Sequence, residues 1–256
     1  MRLLATILTA TILLLPAGCT PALDAITAPN LTERLATAQP IRPVTPLATV
    51  YAQSIWENEV TVDWQQSRAL TEAVREGLAA ALTKKGWPVA QLAAIEWGRL
   101  GAGTDLADAA PLPAAGPAGA ADRILRRLDA IGRHLRTNER VEGIHTVDRQ
   151  VDPADSALLS GRGGSLLFAV VVGCDGRLSD GPCREIQSPP IQTGNYGYGT
   201  FSTVPAGMAL HLYWVDGASG RLLWYDTTRT FNAVSASAPH INAIIADTLA
   251  EFPAPR

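Results

Sequence analysis

The chain has 256 residues and a mass of 27.1 kDa, which suits one domain or two small ones. Hydrophobic residues make up 47% of it and charged residues 18%, so it can bury a core and is neither fibrous nor disordered. Its net charge of −3 provides no basic surface for phosphate backbones, so we expect no nucleic-acid partner.

The first eighteen residues have the layout of a secretory signal peptide. Arg2 supplies a positive charge, residues 3–15 form an apolar run, and the small residues Ala17 and Gly18 follow. The run is too short to cross a bilayer, which needs about 20 apolar residues. We therefore expect residues 1–18 to be a leader that is removed on export.

Residues 15–19 read Leu-Pro-Ala-Gly-Cys and resemble the lipobox of bacterial lipoproteins, which ends in Ala-Gly-Cys. The resemblance implies that Cys19 becomes the first mature residue and carries a diacylglyceryl thioether and an amide-linked acyl chain, a stable membrane anchor. Thr20 is not the Asp that this family uses for inner-membrane retention, so the resemblance implies the outer membrane, with the protein facing the periplasm. The alternative is an ordinary leader, with Cys19 left as a free thiol.

The N-terminal half is expected to begin with a tether and continue with one strand and two helices. Residues 19–46 contain five prolines and are interpreted as a semi-rigid tether, with a helical turn possible at 31–38. Residues 47–56 are predicted to be the first strand. Asp63, as an N-cap, and apolar residues at three- and four-residue steps predict a helix over 64–85.

The segment that follows this helix is less regular. Residues 87–97 fit either an edge strand or a helical turn, and 101–121 are expected to be a loop. A second amphipathic helix is predicted over residues 124–135, within a looser insertion at about 98–160.

The C-terminal half is dominated by strand patterns. Residues 166–172 are almost entirely apolar and predict a central strand. A hairpin is predicted from two strand patterns at residues 208–215 and 221–229. The apolar pattern of residues 241–252 predicts a closing helix that ends at Pro253. The fold class is therefore α+β, with a mixed or mainly antiparallel sheet, helices packed on one face, and a C-terminal hairpin followed by a helix. Residues 47–253 are predicted to form a single domain.

Two further cysteines remain once Cys19 is assigned to the anchor. Cys174 and Cys183 flank a turn-forming stretch that contains glycines and a proline, so we expect a disulfide between them. The alternative is a zinc or redox pair, although the sequence has no C-x-x-C spacing and no nearby His.

Residues with catalytic or metal-binding chemistry are scattered. The four histidines lack metal-ligand spacing, so no metal and no cofactor are expected. Ser219 lies in a Gly-rich hairpin turn rather than in a nucleophile elbow. His211, with Asp226 as its partner, is the candidate acid–base pair if the protein is a hydrolase.

An aromatic, Gly-rich loop is a candidate contact surface. Tyr196, Tyr198 and Phe201 offer contact area at low entropic cost and are candidates for contact with a protein partner. The alternative is that they pack over a sheet edge.

The segment Asp-Gly-Ala-Ser-Gly-Arg-Leu-Leu-Trp at residues 216–224, with a closing helix that ends in Phe252 and Pro253, resembles a family of uncharacterised proteobacterial outer-membrane lipoproteins. These are similar in turn to the N-terminal domain of curli-secretion and penicillin-binding-protein-activator lipoproteins. We therefore expect a lipid-anchored periplasmic protein that binds or assembles with an envelope protein and is not an enzyme. An envelope hydrolase and an oligomeric secretion component are the alternatives.

Overall fold

A computed structural model describes residues 25–53, 60–92, 94–95, 97, 116–138, 149–161, 163–175, 206–230 and 234–255. Within these ranges the strands are β1 Ile26–Thr27, β2 Ile41–Pro43, β3 Leu47–Gln53, β4 Val60–Val62, β5 Ser165–Asp175, β6 Gly207–Asp216 and β7 Leu222–Thr230. The helices are α1 Leu31–Arg34, α2 Trp64–Lys84, α3 Gly116–Asn138, α4 Pro153–Ser160 and α5 Ala238–Thr248.

The strands form one mixed sheet in the order β1-β7-β6-β5-β3-β4, and β2 also pairs with β5. The pairs β1–β7, β6–β7, β5–β6 and β3–β4 are antiparallel, whereas β5 runs parallel to β2 and β3. The predicted α+β class, the central strand and the C-terminal hairpin followed by a helix are confirmed.

Strand β5 lies in the interior of the sheet and is apolar on both of its faces. Leu167, Ala169 and Val171 point to one side, here called the first face, where their core also contains side chains of α2 and α5. The alternating residues Leu166 and Phe168 point to the second face, into a core shared with α3 and α4. Because successive side chains of a strand alternate, this one strand needs a helical layer on each side.

The expectation that helices pack on one face only is therefore wrong in that detail. The two predicted amphipathic helices lie on opposite faces, α2 on the first and α3 on the second. A hydrophobic stripe shows that a helix buries one side, but it does not show which face of the sheet receives it.

The predicted tether is also wrong for the part that the structure describes. Strand β1 pairs with β7, and β2 pairs with β5. Ile26, Leu35 and Ile41 are buried in the two cores. The described domain therefore includes residues 25–46 and does not begin at residue 47.

Helix α2 begins and ends where its sequence signals predict. The Asp63 side chain caps the helix by accepting a hydrogen bond from the Gln66 backbone N–H at 2.9 Å. After Lys84 the chain turns at Gly86, whose φ of +85° favours glycine. Ser67 fastens the first turn to the sheet, since its hydroxyl accepts from the Val50 N–H at 2.9 Å and donates to the Asp63 carbonyl.

Helices α3 and α4 cover the second face and correct two further expectations. The helix α3 begins at Gly116, inside the predicted loop, and α4 has no counterpart among the predicted elements. Instead of forming a loose insertion, both helices contribute to the second-face core.

An ion pair links these two helices. The Arg123 guanidinium donates to both carboxylate oxygens of Asp155, at 2.9 and 2.5 Å. The hydrogen bond to Asp155 raises the pKa of Arg123.

The DGASG segment is a hairpin turn built on Asp216. The Asp216 carboxylate accepts from the backbone N–H of Ala218 and of Ser219, and from the Ser219 hydroxyl at 2.7 Å. Gly220 closes the turn with a φ of +70°. The interpretation of Ser219 as a turn residue is therefore supported by its contacts.

We predict that Ser165→Ala lowers the free energy of unfolding by about 1 to 3 kcal/mol, because it leaves two buried groups without a partner. The buried Ser165 hydroxyl accepts from the Trp214 indole N–H at 2.7 Å and donates to the Ala38 carbonyl at 2.5 Å. Urea unfolding monitored by fluorescence measures the change. Thr83→Ala, on the exposed side of α2, is the control and should change stability by less than about 0.5 kcal/mol.

Candidate functional site

Most of the site residues expected from the sequence lie outside the described residues. These are Cys19, Cys183, Tyr196, Tyr198 and Phe201. The lipid anchor, the disulfide and the aromatic contact surface therefore stay predictions.

Cys174 is described and lies near the end of β5. It is 4% exposed and belongs to a small buried cluster on the second face together with Tyr51 and Ala209. A disulfide to Cys183 would hold the following chain close to this end of the sheet.

The acid–base pair of His211 and Asp226 is not supported by the strand register. His211 lies opposite Thr227 in the β6–β7 ladder, whereas Asp226 lies opposite Leu212. Leu212 belongs to the first-face core, so Asp226 points to the first face and His211 to the second. The sheet itself separates the two side chains.

His211 instead takes part in a buried aromatic group on the second face. Its Nδ1 lies 3.3 Å from the Tyr225 hydroxyl, and the two rings are nearly parallel with centroids 6.4 Å apart. Tyr225 also packs against Tyr213 at 4.9 Å between centroids. The interpretation of His211 as a core histidine with a hydrogen-bond partner is supported by this geometry.

Along β7 the second face changes from apolar to polar. Leu222 and Tyr225 belong to the second-face core, and the next residues on this side are Thr227 and Arg229. Thr227 is the cross-strand neighbour of His211, and Arg229 is that of the small Ala209. We call His211, Tyr225, Thr227 and Arg229 the polar cluster.

Two members of the polar cluster have buried polar atoms without a partner. Within the described part of the chain, neither the Thr227 hydroxyl nor the Arg229 Nε makes a hydrogen bond, although both atoms are shielded from solvent. Thr227 is 6% exposed, whereas Arg229 is partly exposed. Buried polar groups are rarely left unpaired, so this pair marks the polar cluster as a candidate ligand site.

Sequence reasoning missed Thr227 and Arg229. The signal for them was present, because residues 225–230 read Tyr-Asp-Thr-Thr-Arg-Thr and place polar side chains on both faces of a strand that begins with the apolar Leu-Leu-Trp. Assigning these polar residues to one face requires the pairing register of β6 and β7, and a bulge at Trp214/Val215 shifts that register.

Two other kinds of site are absent from the described residues. No three His, Cys, Asp or Glu side chains gather there in a way that could hold a metal ion. In the same ranges, no helix combines the length and apolar composition that crossing a membrane requires.

The fold and the site thus define an α+β protein with a two-sided sheet and a buried polar cluster. No protein-family model and no curated protein sequence matches the chain.

Several solved structures match it at low identity. The PelC dodecamer from Paraburkholderia phytofirmans is 11% identical with a TM-score of 0.34, covering 91% of this chain and 96% of that one. A single-substitution variant of that dodecamer is 10% identical with a TM-score of 0.31, covering 88% of this chain and 93% of that one. Lipoprotein GNA1162 from Neisseria meningitidis is 12% identical with a TM-score of 0.30, covering 83% of this chain and 96% of that one.

We predict that peptide mapping of the mature protein under non-reducing conditions recovers one cross-linked peptide that joins Cys174 to Cys183. Replacing both cysteines by serine should lower the free energy of unfolding by about 2 to 3 kcal/mol, as expected for a loop of about ten residues. Recovery of both thiols in alkylated form from the oxidised protein would contradict the pairing.

Proposed function

We propose that this protein is an outer-membrane lipoprotein that faces the periplasm and binds or assembles with another envelope component, without catalysing a reaction. The N-terminal sequence supports the anchor, since a leader-like segment ends in Ala-Gly-Cys at Cys19. The polar cluster supports a binding role, because it offers unpaired hydrogen-bond donors in a partly exposed setting.

The main observation behind this proposal is the short segment between Cys19 and the first described residue of the domain. Ala25 lies just before β1 and six residues after Cys19. Its backbone N–H donates a hydrogen bond to the Glu251 carboxylate. A fully extended chain of that length spans about 20 Å. An acylated Cys19 would therefore hold the β1 edge of the sheet within about 20 Å of the lipid surface, instead of on a long tether.

We predict that Cys19→Ser abolishes incorporation of labelled palmitate and releases the protein from the membrane fraction, because acyl chains on this cysteine are the proposed anchor. Metabolic labelling and fractionation measure both effects. Cys174→Ser is the control and should keep the label. Labelling that persists in Cys19→Ser would contradict the anchor.

A second experiment tests how close the domain lies to the bilayer. A fluorophore attached at the exposed Asn30, near β1, should transfer energy to a headgroup acceptor more efficiently than one at the exposed Thr61 on β4. The reason is that β1 and β4 are opposite edges of the sheet, about 24 Å apart at the usual strand spacing.

The matched control for this experiment is a Gly/Ser linker of about 20 residues inserted after Thr20, which should remove the difference between the two positions. Equal transfer from both positions without the linker would contradict close placement of the β1 edge, while leaving the anchor itself intact.

A further inference from the structure

We propose that Thr227 and Arg229 bind an oxyanion, namely a phosphate or carboxylate group of a small ligand, on the second face of the sheet. This proposal rests on the described side chains alone and does not depend on the lipid anchor at Cys19. The oxyanion site and the anchor can therefore be tested, and can fail, independently.

The first step is the shared orientation of the two donors. Thr227 and Arg229 are two residues apart on β7 and their cross-strand neighbours are His211 and Ala209, so both side chains lie on the second face. No register shift separates them, because the bulge lies nearer the hairpin turn. Their Cβ atoms are therefore about 7 Å apart, which one ligand group with several oxygens can bridge.

The second step is that two donor atoms, the Thr227 hydroxyl and the Arg229 Nε, have no partner among the described residues. Both atoms are buried. In the same part of the chain, Arg229 takes part in no ion pair. Asp226, the adjacent carboxylate, points to the opposite face. Leaving such groups unpaired costs free energy, which a bound acceptor would recover.

The third step is the chemistry of the donors. A guanidinium presents Nε–H and Nη–H as a fork that matches two oxygens of a carboxylate or phosphate, and its positive charge favours an anion. The Thr227 hydroxyl can donate a third hydrogen bond. Ala209, the cross-strand neighbour of Arg229, has a small side chain, so the ladder position opposite Arg229 carries little bulk. Arg229 is partly exposed and can be approached from solvent.

The experiment is a titration of the full mature chain, purified in detergent, with sodium phosphate and separately with sodium acetate at constant ionic strength. We expect saturable binding of at least one anion by calorimetry, together with a shift of the Arg229 Nε–H resonance in NMR spectra. Saturation by phosphate alone assigns a phosphate ligand, and saturation by acetate alone assigns a carboxylate.

Variants separate this site from general anion binding. Arg229→Lys keeps the charge but loses the fork, so it should weaken binding about tenfold. Thr227→Val should weaken binding severalfold and, in the absence of an anion, leave the melting temperature unchanged or raised, because it removes an unpaired hydroxyl. The controls are Arg68→Lys, exposed on α2, and Thr228→Val, on the opposite face of β7; both should bind like the parent.

Two results would overturn the proposal. One is the absence of saturable binding for both anions. The other is binding that Arg229→Lys and Thr227→Val leave as strong as in the parent and controls. Loss of thermal stability in anion-free Thr227→Val would likewise contradict it, because the hydroxyl would then have a partner within the protein.

Discussion

Strand β5 carries apolar side chains on both faces. Exposing either face to water is unfavourable, so both faces must be covered. Phe168 and Val170 need the layer formed by α3 and α4, while Leu167 and Val171 need α2 and α5. Each fully buried side chain of this size contributes about 1.5 to 3 kcal/mol. The arrangement of helices on both sides of the sheet follows from this one strand.

The polar cluster lies on the second face, where the apolar core gives way to Thr227 and Arg229 on β7. A helical layer that packs on Leu222 and Tyr225 gains little by continuing over a threonine and an arginine. The same side-chain alternation that builds the core thus places two donors together without partners among the described residues. It also separates His211 from Asp226, which removes the acid–base pair expected from their places in the hairpin.

Elements with local signals could be predicted from the sequence, as the cap at Asp63 and the turn at Asp216 show. Helix α4 also had such signals, with Asp152 as N-cap, Pro153 next and Gly161 after it, but its eight residues carry too weak a pattern to be noticed. Pairings distant in sequence could not be predicted. The proline-rich segment therefore has the local sequence of a tether, although β2 within it pairs with β5, more than a hundred residues away. The polar cluster depends on the register of the β6–β7 hairpin, which a bulge at Trp214/Val215 shifts.

The placement of residues 25–46 within the fold is the claim on which closeness to the membrane depends, and native-state hydrogen exchange tests it most directly. The account predicts that the backbone amides of Ala28 and Val44, which donate to Leu223 and Leu167, exchange as slowly as those of β5. Exchange of these amides at the rate of an unfolded chain, while β5 stays protected, would show a free tether and contradict the account.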